Sequence, residues 1–324
     1  MINVWDGSFY ISRALAVAPS REVKGYEAGA VISALMMFSK EMKAYHADTN
    51  VFVFDHPGAN FRHALYSDYK RNSAATEQTD QKQYQTRLCA HLLRTAGFNV
   101  LRVQGVEADD VIASIAISSK DDVRIFTGDK DLQQLVNKRV TTQDTRQTEH
   151  WHGTIESVKA RYGVPPKLIA DFLALCGDKN DCVPGVTGVG SVKAKKLLEQ
   201  YGNVHGILKK SNLSANDKED LLMSYKLVRL TDSVKIPKLH EGIPCVSQDR
   251  LSHITQFFSG IKMPSIFNPV FANSSGLSLF GDAPTEDTEM DVEDWNDVLP
   301  ALFSTKEDND LWDEDHLPTG SLFN

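Results

Sequence analysis

The sequence predicts an α/β protein: a mostly parallel central sheet flanked by helices, then a helical domain, then an acidic and mostly disordered tail. Three observations predict it. Short β-branched and aromatic runs alternate with helix-period runs in the first part of the chain, the pattern of a parallel sheet covered on both faces. After about residue 160 the strand signals stop while helical patterns continue. From about residue 265, Pro, Gly, Ser, Asn and acids dominate, a composition poor in core-forming residues. The expected units are 1–160, 161–265 and 266–324.

The strands are expected at "INVW" (2–5), "NVFVF" (50–54), "NVLRV" (99–103) and "VRIFT" (123–127). Between the first two, Val31, Leu35, Phe38, Met42 and Tyr45 recur at helical spacing. "PPKLIADFLALCG" reads as a helix with prolines at its start and glycine after its end, and "SVKAKKLLEQYG" as a second one. Residues 213–230 offer more helix.

A chain of 324 residues can hold two domains with proper cores, and 41% hydrophobic residues fit a soluble protein. No apolar run approaches the ~18–20 residues of a membrane span. "MINVWDGSFYISRAL" has no basic segment before an apolar one, so it does not read as a signal peptide, and a cytoplasmic protein is expected. Cys89, Cys176, Cys182 and Cys245 form no CxxC pair, which favours reduced thiols. The net charge of −8 is a misleading average: from Asp282 onward there are fourteen acids and one base, leaving 29 acids and 34 bases before it. A mildly basic body permits nucleic-acid binding without establishing it.

The chemistry lies at the strand ends. Asp6 ends the first strand, Asp55 the second, and Asp129 and Asp131 follow the fourth. Glu107, Asp109 and Asp110 follow the third as a helix begins. Open parallel sheets form their sites beyond the carboxyl ends of the strands, so these carboxylates converge on one rim. Asp178 and Asp181 would close the group from the next domain, making nine acids. Each alone reads as a helix cap or a solvated loop residue. Together they repel, which raises several pKa values unless divalent cations bind. An all-oxygen set favours Mg²⁺, Mn²⁺ or Ca²⁺ over zinc, and two ions ~4 Å apart suit phosphodiester hydrolysis.

"PGVTGVG" follows those last acids and leads into a lysine-bearing helix. Gly185, Gly188 and Gly190 let backbone approach a phosphate, and a helix N-terminus presents N–H groups to it. Lys193 and Lys196 are three apart and share a helix face. The pattern suits a helix–hairpin–helix over 183–200 that positions a duplex without reading bases. A dinucleotide-binding turn is the alternative, disfavoured because the preceding segment is helical. A purely structural turn stays open.

Over about residues 1–230 the motifs "WDGS", "FVFD", "FRHALYSDYK", "GVEADDVIA", "TGDKDLQQLV" and "GDKNDCVPGVTGVG" resemble, in order, those of the 5′ nucleases: flap endonucleases and the 5′→3′ exonuclease domain of bacterial DNA polymerase I, closest to small stand-alone phage and bacterial members. The resemblance implies a PIN-like core with a first metal site of Asp6, Asp55, Glu107, Asp109 and Asp110. It implies a second of Asp129, Asp131, Asp178 and Asp181, with Asp109 near both. It also implies two Mg²⁺ ions, replaceable by Mn²⁺, and a K⁺ ion on the carbonyls of the hairpin 185–190. Residues 65–88 resemble a helical arch that passes a 5′ single strand, with Lys70, Arg71, Lys82 and Arg87 as its bases. Lys70 matches the lysine that contacts the scissile phosphate, and Arg13 matches a DNA-contacting arginine. Two positions depart from the pattern: Ser73 stands where the family has arginine, and Ser12 where it has an aromatic residue.

Two further signals are weaker. "HWH" puts His150 and His152 on one side of a strand, a metal pair without a third ligand. "GLSLF" (276–280) is similar to the peptide by which bacterial replication proteins bind the sliding clamp, with Leu277, Leu279 and Phe280 as anchors. The expected protein is a monomeric, metal-dependent 5′ nuclease of the infected-host or bacterial cytoplasm, cutting DNA at 5′ flaps or ends and removing RNA primers. A PIN-type ribonuclease would carry fewer acids and neither arch nor hairpin. A non-catalytic DNA-structure-binding protein would lack acid ligands.

Overall fold

The computed structural model describes residues 1–71, 77–146 and 150–274. Strand β1 (Ile2–Asp6) leads into α1 (Gly7–Val17) and a two-stranded hairpin, β2 (Glu22–Val23) and β3 (Tyr26–Glu27). Helix α2 (Gly29–Ala44) returns the chain to β4 (Thr49–Val53), and α3 (Phe61–Leu65) and α4 (Glu77–Thr95) lead to β5 (Asn99–Leu101). Helix α5 (Ala108–Ser118) crosses to β6 (Val123–Phe126), followed by a 3₁₀ turn (Asp131–Leu135), β7 (Val140–Asp144) and β8 (Trp151–Gly153). Helices α6 (Ile155–Tyr162), α7 (Ile169–Cys176), α8 (Ser191–Tyr201), α9 (Val204–Lys210) and α10 (Ala215–Val228) follow. The described chain ends with α11 (Gln248–Phe257) and α12 (Asn268–Ser274).

The sheet runs β5-β4-β1-β6-β7-β8, parallel except for β8, which pairs antiparallel with β7. Strand periodicity sorts its two faces. Trp5, Phe52 and Phe126 lie opposite one another in register, and Trp5 stacks on Phe126 at 3.9 Å between ring centroids. They join a core with α1, α2 and α4. Val4, Val51, Val53 and Ile125 face the other way, against Val111, Ile112 and Ile115 of α5. Burying a side chain of this size is worth about 1.5–3 kcal/mol, so a one-residue slip in register would be strongly disfavoured. Ala28 offers no side-chain cap to α2, so other residues supply it: Glu27 Oε1 accepts from the Gly29 amide at 2.8 Å, and Gln85 Oε1 of α4 from the Ala30 and Val31 amides at 2.9 and 3.2 Å.

Helices α6–α10 form a separate core around Phe172, Leu173, Leu198, Ile207, Leu221 and Leu227. The expected extent of this unit, to residue 265, is too long. Beyond α10 the chain turns back over the sheet domain. Leu230, Val234, Ile236 and Leu239 pack on the α5 face. Asn99 of β5 exchanges hydrogen bonds with the His240 backbone at 2.9 and 3.1 Å. Val246, Leu251, Ile254, Phe257, Phe267 and Val270 then fill the core beside α2 and α4. The expected tail boundary at 266 therefore moves: Ile266, Phe267 and Val270 are buried. Their polar sequence neighbours hide them in a composition average, while their spacing puts each against the core.

Strand β7 and the β2–β3 hairpin go beyond the sequence expectation, whereas β8 falls where "HWH" reads as a strand. β7, "VTTQD", has one strong apolar residue, yet Thr142 and Gln143 are buried because their polar groups are satisfied, Thr142 Oγ1 donating to Gln133 Oε1 at 2.8 Å. Among the described residues no helix is long and apolar enough to cross a membrane. Residues 72–76, with Ser73, lie outside the described residues, as do the peptide 276–280 and the acids from Asp282 onward.

Candidate active site

The carboxyl ends of β1, β4, β5 and β6 share one edge of the sheet, and the acids collect there. Asp6, on the last residue of β1, caps α1: Oδ1 accepts from the Phe9 amide at 2.9 Å, and Oδ2 accepts from Thr127 Oγ1 at 2.8 Å. Asp55 Oδ1 accepts from the Ala108 amide at 2.9 Å, which joins the end of β4 to the start of α5. The Asp131 amide donates to Asp129 Oδ1 at 2.8 Å, folding the loop after β6 into a tight turn. Asp178 and Asp181 come from the helical unit, on a loop closed by a bridge between Asp178 and Val183. That loop is bound to the other half of the site: the Lys70 amide donates to the Asp181 carbonyl at 3.0 Å.

Two lysines sit among the acids. Lys70 Nζ is paired with Glu107 Oε1, and Lys130 Nζ with Asp178 Oδ2. Lys70 has φ +51°, a strained conformation for a non-glycine residue. Its ammonium is held well above its ordinary pKa: burial opposes the charge, and Glu107, Tyr69, Asp181 and Asp55 together outweigh it.

Asp110 departs from expectation. Its two oxygens accept from Arg62 Nη1 and Nη2 at 2.6 and 2.9 Å, and Oδ1 also accepts from the Thr231 amide at 3.0 Å. The side chain is 0% exposed. Both carboxylate oxygens are thus occupied by a guanidinium, which leaves no edge for an ion. Asp109, one position earlier on α5, is the one that faces the cluster, where it feels Asp129, Asp6, Glu107 and Asp55. Eight acids therefore remain as candidate ligands, Glu107 through Oε1, whose partner Lys70 is 33% exposed, because its Oε2 accepts from Arg62 Nη1 at 2.9 Å and from Tyr69 Oη at 3.0 Å.

Their electrostatics are those of crowded carboxylates. Burial, then mutual repulsion, raises Asp6 to about 7 and Asp131 to about 8, and pushes Asp109 well up. Asp181 is raised by burial. Asp55 and Asp178 go the other way. Burial would raise both, but Lys70 and the Ala108 amide bring Asp55 down, and Lys130 and the Asn180 amide bring Asp178 down. Among the described residues no three His, Cys, Asp or Glu side chains already converge at the spacing of a formed ion site. The donor set nevertheless fits hard divalent cations. It is all oxygen, and buried Asp131 Oδ1 has no hydrogen-bond partner. Asp6, Asp55, Glu107 and Asp109 would hold one ion, and Asp129, Asp131, Asp178 and Asp181 a second.

A pH dependence follows. A carboxyl with a raised pKa keeps its proton in the folded state after the unfolded chain has lost its own near 3.9, so stability falls as pH rises towards the folded value. His91, lowered to about 4 by burial, acts in the opposite sense but only below about 6.5. In EDTA, the melting temperature is therefore expected to drop between pH 6.5 and 8, with Mg²⁺ removing most of the drop. A melting temperature that rises over this interval in EDTA would contradict the burial of these acids.

The glycine hairpin is built as its spacing suggests. Gly185 has φ +69° and packs so closely on Gly177 that a Cβ would lie 2.6 Å from the Gly177 amide. Gly188 also has φ +69°, whereas Gly190 has ordinary φ and open space around it. Gly190 starts α8 with no side-chain cap, and Ser191, Val192, Lys193 and Lys196 are exposed beside it. Arg13 donates to Thr145 Oγ1 and O at 3.1 and 3.2 Å. Arg71 pairs with Asp68 at 2.9 Å. Arg87 is buried, since from Tyr84 onward α4 belongs to the core, so the expected arch loses that base. His150 Nδ1 bonds Tyr45 Oη at 3.1 Å and His152 Nδ1 bonds Gln143 Oε1 at 3.2 Å, and among the described residues neither joins a group of three metal-ligating side chains.

Sequence reasoning missed Arg62 and Lys130. Each is 48 positions from the acid it pairs with, so local pattern carries no trace of either interaction.

Residues 1–163 match the family model described as 5'-3' exonuclease, N-terminal resolvase-like domain, and residues 164–250 match 5'-3' exonuclease, C-terminal SAM fold. The chain is similar to a 5'-3' exonuclease of Aquifex aeolicus (strain VF5), 35% identical over 291 residues, 86% of this chain and 99% of that protein. It is also similar to DNA polymerase I of Pseudomonas aeruginosa, 37% identical over 263 residues, 74% of this chain and 28% of that longer protein. Two solved structures share the fold. T5 D15 protein co-crystallised with metal ions has a TM-score of 0.60 at 19% identity, covering 86% of this chain and 99% of that one. The catalytic core of Rad2 in complex with DNA substrate has a TM-score of 0.52 at 14% identity, covering 84% and 92%. With both of its domains matched in sequence and in order, the chain belongs to the 5'-3' exonuclease family.

Proposed function

We propose that the protein is a structure-selective 5′ nuclease that hydrolyses DNA phosphodiesters, as a 5′→3′ exonuclease and as a 5′-flap endonuclease, and removes flaps and RNA primers in replication or repair. The observation that carries this reading is the hydrogen bond from the Lys70 amide to the Asp181 carbonyl at 3.0 Å. It joins the base of the expected arch, the acid cluster and the hairpin loop, so single strand, cut site and duplex would meet around one point. When bound, two divalent cations would activate the attacking water and offset charge on the scissile phosphate. The reading takes Mg²⁺ as the ion, with Mn²⁺ as substitute and K⁺ on the hairpin carbonyls. Thr127, Phe9 and Ala108 orient Asp6 and Asp55 through their hydrogen bonds. Lys70 would place a cation beside the phosphate, where charge grows during cleavage. The open N-terminus of α8, with Lys193 and Lys196, would hold a duplex phosphate farther along.

The test is cleavage of a 5′-flap duplex in Mg²⁺ and in EDTA. Cleavage confined to Mg²⁺, at the flap junction, supports the reading; cleavage of single-stranded RNA alone, or none, refutes it. A second expectation concerns the hairpin helix. Lys193→Ala with Lys196→Ala should weaken binding of duplex-containing substrates. The salt slope of log K should fall by about 1 for each phosphate that no longer meets a lysine. An unchanged salt slope would remove these lysines from the interface.

A further inference from the structure

Lys130 lies between the two acids of the loop after β6, yet its ammonium reaches across to the helical unit, where it is paired with Asp178 Oδ2. The other oxygen of Asp178 is already spent, Oδ1 accepting from the Asn180 amide at 2.7 Å. Lys130 therefore holds the edge of Asp178 that a metal ion would need. Its neighbour Asp131 keeps one buried oxygen without a partner. The same arrangement recurs across the site, where Lys70 holds Glu107. Each half of the acid cluster thus carries a tethered lysine.

We propose that Lys130 is a tethered counter-ion of the second carboxylate group, holding Asp178 while no metal is bound and displaced from it when a divalent cation loads. This rests on the two-metal reading above and adds to it a residue that sets the concentration at which the second ion binds. The physical grounds are charge and reach. An ammonium neutralises one carboxylate at hydrogen-bond distance. A divalent ion approaches oxygen at ~2.1 Å with twice the charge, so it prevails at sufficient concentration. The lysine side chain is 42% exposed on a flexible four-carbon stem, so release into solvent meets no steric barrier. The pair also bridges two domains, joining the 129–131 loop to the 178–181 loop, so its opening would let both loops settle around an ion.

Lys130→Met in the full-length protein tests this by calorimetric titration with Mn²⁺ and by thermal unfolding. The variant should bind the weaker of its ions on the order of tenfold more tightly, the scale of one unit charge a few ångströms away in a solvated site. It should melt below the wild type in EDTA but at or above it in saturating Mg²⁺, because the pair is absent from the loaded wild type as well. Lys130→Arg, which keeps the charge, should behave as the wild type in EDTA. Unchanged ion affinity, or the same melting deficit in both buffers, would overturn the proposal, the second outcome marking a permanent ion pair. Wild-type protein that binds no Mn²⁺ would instead refute the two-metal reading itself, and the proposal with it.

Discussion

Asp129→Asn combined with Asp131→Asn is expected to abolish cleavage of a 5′-flap substrate while leaving DNA binding intact or tighter. Both residues sit on the tight loop after β6, and the Asp131 amide donates to Asp129 Oδ1, a bond the amide oxygen of asparagine can keep. The fold of the loop should survive while its two negative charges go. Bound metal supplies several kcal/mol of charge stabilisation in the transition state, and each 1.36 kcal/mol is a factor of ten, so turnover should fall by at least about 10³-fold. Binding should hold because Lys193 and Lys196 are on α8 and the hairpin is the loop before it, and it should tighten to the extent that the removed charges had faced phosphate. In EDTA the variant should also be more stable than the wild type, since Asp131 is a buried carboxyl repelled by Asp129. Single-turnover cleavage, equilibrium binding and thermal unfolding check the three parts. Near-normal turnover in Mg²⁺ would refute the assignment of these acids as ligands.

Arg62→Met should have the opposite profile, a large loss of stability. Arg62 is 1% exposed and its Nη1 and Nη2 serve Asp110, while Nη1 also reaches Glu107 at 2.9 Å. Its Nε donates to the Leu227 carbonyl at 2.7 Å, which pins the end of α10 to the sheet domain. Removing one partner of a buried pair leaves the other charge uncompensated and costs about 3–5 kcal/mol. For a chain of this size that corresponds to a melting temperature lower by on the order of 10 °C. The double variant Arg62→Met with Asp110→Leu should recover part of the loss, because neither charge is then left alone. Asp109→Asn provides the contrast, with cleavage lost and stability in EDTA kept or raised. If Arg62→Met melted within about 2 °C of the wild type, the buried pair would not be an anchor of the fold.

Much of this site is legible from local sequence. An acid directly after a parallel strand can lie only at the strand's carboxyl end, and hydrogen bonding aligns those ends, so the convergence of Asp6, Asp55, Asp129 and Asp131 follows from placing the strands. The hairpin is legible for a similar reason: Gly185 and Gly188 are required by positive φ, a property of the backbone at that one residue. Lys193 and Lys196 share a face because helical spacing fixes it.

Tertiary structure decided the rest. Asp109 and Asp110 are identical in type and adjacent in sequence, yet one turns to the acid cluster and the other to Arg62. Successive side chains on a helix point about 100° apart, and only the packing of α5 against the sheet and α3 determines which direction is the site. The lysine on Asp178 and the arginine on Asp110 each come from 48 residues away, so charge balance was settled by chain crossings that no local window contains. The return of residues 230–274 to the sheet domain belongs with these. Leu251, Ile254 and Phe257 recur at helical spacing, but spacing does not say which domain covers them, because the hydrophobic effect counts area removed from water wherever along the chain the covering surface originates.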